Sequence, residues 1–513
     1  MGLYTTQRGN FDYVFRYSPP TGLYSWSVSL CYDETQESMF NAPEILENIT
    51  GESGVSTAIS YQNGNLVLGN PDDQTVEVYL SSQAFNGTFE GEFSKVNRLS
   101  PHDYAGASGF GSSLRMLNNL VFIGAPLSLS PDSTQTGAGA VFFHSRVGTG
   151  GHGATGSNNW GQVGVFTGDT ASGYFGTSLS ASTSNVSQII GIGATGEVSG
   201  SGAVHLYNSS SKSFVQKITP TGSDVERFGK SQAFVSQNGV SYIAIGYDQN
   251  NIGKVGIYKE TEAGNNNYQS FQILSGENGA AGDLYGGSIF GFQGEILVGA
   301  PNMGSSGQAY FYQFSSESGT FFKSQDLAPS NLATNDFFGK SVTFDTGFAI
   351  IGSNKNSGSA YVFNKQGGSW VEESHISGNE PSIDGAFAGN QNGSQSLVID
   401  NRRIIVGTNG EKNSYVFTTG LVDVDDYTGL SFSGKDNKIY DSSGRFIYGY
   451  GPAESITISG GVFTGGYFSM YVNSNLCVSR SPREAGVGRT GALNDWSTSG
   501  LEGTPYYYLG IIN

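Results

Sequence analysis

The most regular feature of the chain is a short apolar run that ends at a glycine and returns along the sequence. In its clearest copy, residues 120–123 are apolar at four successive positions, and Gly124-Ala125-Pro126 ends the run. A strand with one wet face would alternate apolar and polar residues, so the unbroken run predicts a strand covered on both faces. The strand should stop at the Gly-Ala-Pro sequence, because proline lacks the N–H that a ladder needs and glycine bends freely.

A shorter strand pattern precedes each apolar run and begins with an aromatic residue and a glycine. Phe110-Gly111-Ser112-Ser113 opens this first strand in the clearest copy, and Asn118-Asn119 makes the reversal into the second. Seven copies of this order occur, and the aromatic positions 110, 175, 228, 285, 338 and 387 lie 65, 53, 57, 53 and 49 residues apart. The repeat positions are Phe110, Gly111, Gly124, Phe175, Gly176, Phe228, Gly229, Tyr285, Gly286, Gly299, Phe338 and Gly339, and the two weaker copies begin at Gly54 and Phe387.

A third and a fourth strand pattern follow each pair. Ala140-Val141-Phe142-Phe143 is typical of the third, and residues 213–218 illustrate the more variable fourth. Four strands in each unit, at a period of about 55 residues, predict the blades of a β-propeller. The expected fold class is therefore all-β, a seven-bladed β-propeller of four-stranded blades with a small C-terminal β-domain.

These units resemble FG-GAP repeats, the blades of the seven-bladed β-propellers in integrin α subunits and related proteins. The resemblance covers roughly residues 54 to 418 and rests on an order that recurs seven times. The calcium loops of that family, with the pattern Asp-x-Asp-x-Asp-Gly, do not carry over. Residues 127–136 contain the lone Asp132, and residues 302–306 contain no acid. Six to eight oxygen ligands cannot be assembled from such loops, so we expect no metal in the blades.

The repeats divide the chain into three predicted regions, residues 1–53, 54–419 and 420–513. Propellers commonly remove exposed edges by letting one terminus complete the blade of the other. A hairpin over residues 11–30, with Trp26, resembles the outer hairpin of a later blade, and we predict that it completes the last blade. One third-strand pattern, residues 414–417, is then left over. It could belong to a five-stranded blade or to an imperfect eighth blade, and we favour seven blades. A short helix near residues 42–48 is the one exception to the all-β pattern.

Composition narrows the classes of partner. The net charge is −18 without any Lys/Arg run, which argues against nucleic acid, because phosphate contacts need clustered cations. No stretch of about 18 apolar residues occurs, so we expect no membrane insertion.

Residues 1–17 lack the apolar run of a secretory signal. Cys31 and Cys477 could form one bridge or stay as two free thiols, and the sequence leaves both open.

Catalytic chemistry is sparse in the sequence. Five histidines are scattered without metal-ligand spacing, and neither a nucleophile elbow nor a phosphate loop occurs. His144 and His205 fall in third-strand patterns, where packing is the expected role. We therefore expect no enzyme, no catalytic residue and no cofactor.

Binding is the better expectation, because the loops are long, uncharged and rich in Asn, Ser, Gly and Tyr, which suits adaptable recognition. In the tail, exposed aromatic side chains could stack on sugars, with arginines nearby. The alternative is that these aromatic residues form the core of the small β-domain. The candidate ligand-binding residues are Tyr448, Tyr450, Tyr467, Tyr471, Arg480, Arg483 and Trp496.

The sparse charge and abundant Gly, Ser and Asn are typical of a surface protein. Together with the missing signal and disulfide framework, they favour a virion structural protein, such as a phage tail, spike or fibre component. Its partners would be other virion proteins and a host surface receptor or glycan, and homo-oligomerisation stays open. The alternative is a secreted or cell-surface adhesin. A third hypothesis, an accessory module of an enzyme such as a lipase, would need a catalytic domain for which no remaining segment is large enough.

Overall fold

The structure is a computed structural model that describes most of residues 58–418 with side chains. The gaps are residues 63, 82–92, 103, 105, 118, 147–159, 183–187, 277–278, 330, 355–358, 367, 378–395, 401–402 and 408–412, and at 81, 377, 400, 403, 413, 417 and 418 only the backbone is described. Elsewhere it describes the backbone of residues 2–8, 11–17, 26–32, 44–50, 430–433, 438–440, 456–458, 468–472 and 475–480.

The described residues form 36 strands and one short 3₁₀ helix, Met303–Ser305. The strands before the first complete sheet are β1 Gly2–Arg8, β2 Phe11–Tyr17, β3 Trp26–Tyr32 and β4 Glu44–Thr50. Then come β5 Ala58–Gln62, β6 Asn65–Asn70, β7 Thr75–Ser81, β8 Phe93–Leu99, β9 Ser113–Leu117, β10 Leu120–Ala125, β11 Ala140–Ser145, β12 Gly161–Thr167, β13 Phe175–Ala181, β14 Ile189–Ala194, β15 Ala203–Asn208, β16 Phe214–Ile218, β17 Val225–Gln237, β18 Val240–Gln249, β19 Ile252–Glu260 and β20 Tyr268–Ser275. The remainder are β21 Ser288–Phe292, β22 Glu295–Ala300, β23 Gln308–Ser315, β24 Thr320–Leu327, β25 Val342–Phe344, β26 Phe348–Ser353, β27 Ser359–Gln366, β28 Ser369–Ser377, β29 Leu397–Asp400, β30 Arg403–Val406, β31 Asn413–Thr418, β32 Leu430–Ser433, β33 Lys438–Tyr440, β34 Ile456–Ile458, β35 Phe468–Val472 and β36 Asn475–Arg480.

Seven four-stranded antiparallel sheets form the blades of a ring. Blades 1 to 6 each use four consecutive strands, from β5–β8 in blade 1 to β25–β28 in blade 6, and blade 7 consists of β29, β30, β31 and β4. The first strands of successive blades contact one another in order, and β29 contacts β5, which closes the ring. The predicted all-β seven-bladed propeller is confirmed.

The strand that closes the ring is β4, which pairs with β31 from Glu44↔Thr418 to Asn413↔Thr50. The hairpin over residues 11–30, predicted to complete the last blade, instead lies in a separate sheet, β1-β2-β3. Blade 7 already contains its own third strand, β31, and needs only one outer strand. That accounts for the third-strand pattern at residues 414–417 that had been left over. The short helix predicted near residues 42–48 is also wrong, since the region is strand.

Residues 419–513 and 1–41 belong to a second compact unit, separate from the unit that contains the blades. Its described strands form the three-stranded sheet β1-β2-β3, a second three-stranded sheet, β33-β32-β34, and the hairpin β35-β36. A C-terminal β-domain over residues 420–513, with an attachment or binding role, stays a prediction.

The core lies between neighbouring blades. β6, β14 and β26 are buried at every position, as the unbroken apolar runs predict. One apolar cluster joins Val67 and Val78 of blade 1 to Leu114 and Ile123 of blade 2, and comparable clusters join the later blades.

The aromatic–glycine pairs form the seam between blades. Each aromatic ring of the five described pairs is at least 99% buried, and each glycine that follows has a φ between +74° and +95°. Such a φ is strained for any side chain with a Cβ, so glycine is required there. The members are Phe110-Gly111, Phe175-Gly176, Phe228-Gly229, Tyr285-Gly286 and Phe338-Gly339.

The glycine that ends each second strand meets the aromatic–glycine pair of the next blade. A Cβ added at Gly124 would lie 2.2 Å from the carbonyl oxygen of Gly176, and one at Gly299 would lie 1.9 Å from that of Gly339. The repeat therefore needs glycine at both positions, because two backbones touch there. The same contact joins Gly69 to Gly111, Gly193 to Gly229 and Gly246 to Gly286.

Side-chain hydrogen bonds repeat across these seams. In four blades, the serine three residues after the aromatic donates its hydroxyl to the glycine carbonyl of the next blade. On the outer rim, a glutamine amide of one blade bonds both the N–H and the C=O of an aromatic residue in the next. The serine bonds are Ser113–Gly176, Ser178–Gly229, Ser231–Gly286 and Ser288–Gly339, and the glutamine pairs are Gln216–Tyr268, Gln272–Phe321 and Gln325–Trp370.

Candidate binding face

The loops between second and third strands lie at the same end of each blade as the connections between blades. First and second strands are antiparallel, so a first strand begins where the second strand ends, and the next loop starts there too. We call this end of the propeller the loop face. In blades 2 and 3 it consists of residues 126–139 and 195–202 together with the connection 168–174.

In each of blades 2 to 6, one residue on the loop face has a left-handed backbone conformation. The residue immediately before the aromatic–glycine pair has a positive φ, and we call this the display position. Its carbonyl accepts the N–H of the residue three positions later in three blades, so the aromatic–glycine pair forms the centre of a turn with glycine at the third place. The display residues are Gly109 (φ 74°), Tyr174 (52°), Arg227 (54°), Leu284 (56°) and Phe337 (50°).

In blade 3 the residue at the display position is exposed and the aromatic residue that follows it is buried. Tyr174 is 37% exposed, whereas the adjacent Phe175 is 1% exposed. A non-glycine residue in this backbone region costs of order 1 kcal/mol or more, so the seam must hold it there. The side chain at the display position differs from blade to blade, while the seam beneath it repeats.

Blades 2 and 3 carry the largest exposed apolar side chains of the loop face. Leu127 is 54% exposed and Val198 is 47% exposed, each in a loop between a second and a third strand. The ring of Tyr174 lies between these two loops, since Cβ atoms added at Gly137 and Gly196 would lie 3.2 and 3.0 Å from it. Val198 has a φ of +53°, which is strained for a β-branched residue.

A buried ion pair lies at the loop-face end of blade 4. Lys230 Nζ is 2.8 Å from Asp248 Oδ1, and the two side chains are 8% and 2% exposed. Arg227, at the display position, reaches the other carboxylate oxygen at 2.7 Å. Burial lowers the pKa of Lys230, and the Asp248 carboxylate partly offsets this.

Blade 6 has the same Phe-Gly-Lys-Ser sequence but no acid at the matching place. Lys340 Nζ is 3.2 Å from the amide oxygen of Asn354. Burial lowers the pKa of Lys340 without an acid to oppose it. The two lysines therefore occupy one repeat position with different neighbours.

A third charged group lies in blade 3. The carboxylate of Glu197 is 2.9 Å from His205 Nε2 and 2.6 Å from Lys217 Nζ. Burial raises the pKa of Glu197, but hydrogen bonds from His205 and Lys217 outweigh it, so the net shift is downward. Glu197 also accepts the N–H of Gly202 through its backbone oxygen, which closes the loop segment that contains Val198.

The histidines on third strands are packed, as their positions suggest. His144 lies edge-on to Phe110 at 6.2 Å between ring centroids, and burial lowers its pKa to about 4. His205 lies edge-on to Phe175 at 5.2 Å. Within the described part of the chain, no group of three or more His, Cys, Asp or Glu side chains is arranged to hold a metal ion. Asp132 accepts hydrogen bonds from Ser130 and Thr134 within its own loop, which lower its pKa.

The predicted tail site is not tested by these contacts. Tyr471 and Arg480 lie in β35 and β36, whose side chains are not described. Tyr448, Tyr450, Tyr467, Arg483 and Trp496 lie outside the described residues. The structure instead draws attention to display positions that the sequence reading passed over. Superimposing the seven copies on their aromatic–glycine pairs would have marked the residue before each pair as variable.

A family model decides which repeat this is. The model described as FG-GAP repeat matches residues 321–363, from the outer strand of blade 5 to the third strand of blade 6. The chain contains an FG-GAP repeat. The match includes Phe338, Gly339 and Gly352, which are the seam positions of blade 6.

No curated protein matches the chain. Among solved structures, the computationally designed Ika8 protein is similar at 12% identity with a TM-score of 0.40, covering 73% of this chain and 99% of that one. An FG-GAP propeller fits an adhesin or binding role in general, and FG-GAP repeats suggest an extracellular or surface protein. No helix in the described part of the chain is long and apolar enough to cross a bilayer.

Proposed function

We propose that this FG-GAP propeller is a non-enzymatic binding protein that recognises a host surface receptor or glycan through its loop face, as a structural component of a virion. The observation that carries the proposal is the display position, where a repeated seam holds a different residue in each of blades 2 to 6, with exposed side chains at Tyr174 and Arg227. A rigid frame with variable contact residues suits recognition, because little ordering is needed on binding.

The chemistry of blades 2 and 3 supports an uncharged or weakly polar ligand at this face. Tyr174 offers an amphipathic ring, and Leu127 and Val198 add apolar surface on either side. Aromatic side chains with adjacent small polar residues are typical of surfaces that bind glycans and protein loops. Exposed apolar side chains grouped at one place also mark interaction sites.

The virion context rests on composition. Only 13% of residues are charged, and Gly, Ser and Asn take their place. A cell-surface adhesin is the second candidate, favoured by the FG-GAP match.

Mass spectrometry of purified particles and of cell-surface fractions from the source tests this assignment. We expect the chain in purified virions, at a copy number set by particle symmetry. Recovery from cell-surface fractions alone would overturn the virion assignment and leave the adhesin.

A further inference from the structure

A second feature of the propeller lies on its axis rather than on its loop face. The first strands contact one another around the ring, so they line its centre. Some of their residues are partly exposed, whereas several second strands are buried at every position. All five residues of β21 and Leu179 of β13 are partly exposed, whereas β14 and β26 are buried throughout. The first strands therefore surround the axis of the ring, and we call the space that they enclose the central channel.

Among the charged residues of the described first strands, Glu226, Arg227 and Lys230 lie in the first half of β17, and Arg227 and Lys230 pair with Asp248. Arg115, in β9, has no described ion pair. It stands in the middle of β9, directly opposite Phe122. Opposed residues in an antiparallel pair lie on the same sheet face, and so do residues two apart. Arg115 therefore shares its face with Phe122 and Leu117, which belong to the apolar cluster between blades 2 and 3.

The guanidinium of Arg115 has no described protein partner. Its Nε is buried without an acceptor, and no described hydrogen bond or ion pair reaches the other nitrogens. Burial lowers its pKa, with no acid to oppose the effect. The residue as a whole is partly exposed, so its accessible part lies beyond Nε.

An arginine stays protonated in proteins, and a buried N–H without an acceptor costs free energy. Buried polar groups are paired in most structures, with bound ions among the partners. A planar guanidinium matches a carboxylate or phosphate, which can accept two of its N–H groups at once. We propose that the central channel binds one small oxyanion, carrying a carboxylate or a phosphate group, at Arg115. This site is independent of the loop face and of the proposed function.

Calorimetric titration of the full chain with acetate and, separately, with inorganic phosphate tests the site at constant ionic strength. We expect one saturable site per chain for at least one of the two anions. Binding to acetate alone assigns a carboxylate ligand, binding to phosphate alone assigns a phosphate, and binding to both assigns a general oxyanion site.

Two variants keep the test specific. Arg115→Met should weaken anion binding at least about tenfold, and it should melt no lower than the wild type without added anion, because it removes an unpaired charge. Arg98→Gln, which removes an exposed guanidinium on β8, should bind like the wild type. Equal binding by Arg115→Met would overturn the proposal. So would the absence of saturable binding to either anion.

Discussion

Blades 4 and 6 share the sequence Phe-Gly-Lys-Ser, but the lysine of that sequence has a different hydrogen-bond partner in each blade. Each receives a glycine from the preceding blade, Gly193 against Gly229 and Gly299 against Gly339. Each receives a glutamine on the outer rim, and only blade 4 pairs its lysine with an acid.

The comparison separates two levels of the repeat. Backbone contacts at the seam are the same in both blades, because only glycine fits where two chains touch. Side chains near the loop face differ, since the lysine meets Asp248 in blade 4 and Asn354 in blade 6. The seam therefore accounts for the fold, and the loop face is where blades acquire separate chemistry.

The largest expected loss of stability comes from a substitution that breaks the ion pair of blade 4. Asp248→Asn leaves Lys230 buried without a carboxylate, and we expect a loss of about 3 kcal/mol in the free energy of unfolding at pH 7. Urea denaturation measures it. The control is Asp326→Asn, which removes the acid of the partly exposed pair with Lys323 and should cost less than about 1 kcal/mol. Equal losses would show that burial does not set the strength of the pair.

The next effect concerns what the two blades share. Gly193→Ala and Gly299→Ala each place a Cβ against a backbone carbonyl, at 2.3 and 1.9 Å. Since that oxygen is fixed in the seam, we expect each to lose about 2 kcal/mol of stability. Gly347→Ala is the matched control, because its nearest neighbour would be Asp345 Oδ1 at 3.9 Å. A seam variant as stable as this control would contradict the role of the paired glycines.

The smallest expected change in stability comes from a substitution that gives the lysine of blade 6 an acidic partner, as in blade 4. Asn354→Asp supplies Lys340 with a carboxylate, and we expect a gain of up to about 1 kcal/mol at pH 7 in thermal denaturation. Pairing lowers the pKa of the new carboxyl in the folded state, so the gain is present above its usual pKa of about 4 and is lost as the pH falls through the lower folded value. The comparison belongs at pH 7, above the range in which the buried His144 titrates. A variant less stable than the wild type at pH 7 would contradict the matching of the two lysines.

The sequence was sufficient for the propeller, because aromatic–glycine pairs and apolar runs are local signals that repeat. The prediction of the strand that completes blade 7 was wrong. Glu44–Thr50 contains Glu, Leu and Asn, which permit a helix, and only pairing with β31 makes it a strand. The display positions were also missed, because a positive φ at Tyr174 or Leu284 depends on the turn that follows rather than on the residue itself. Arg115 looked like any strand residue until the ring placed β9 at the channel.

The central claim, recognition through the loop face, is tested most directly by binding of the labelled full chain to a glycan array and to intact cells from the source. Tyr174→Ala removes the ring between the loops of blades 2 and 3, and Phe214→Ala removes a 55% exposed ring on the outer strand of blade 3. Both variants are first shown to melt like the wild type. We expect Tyr174→Ala to weaken binding about tenfold and Phe214→Ala to leave it unchanged. Equal binding by wild type and Tyr174→Ala, or a loss confined to Phe214→Ala, would contradict the account.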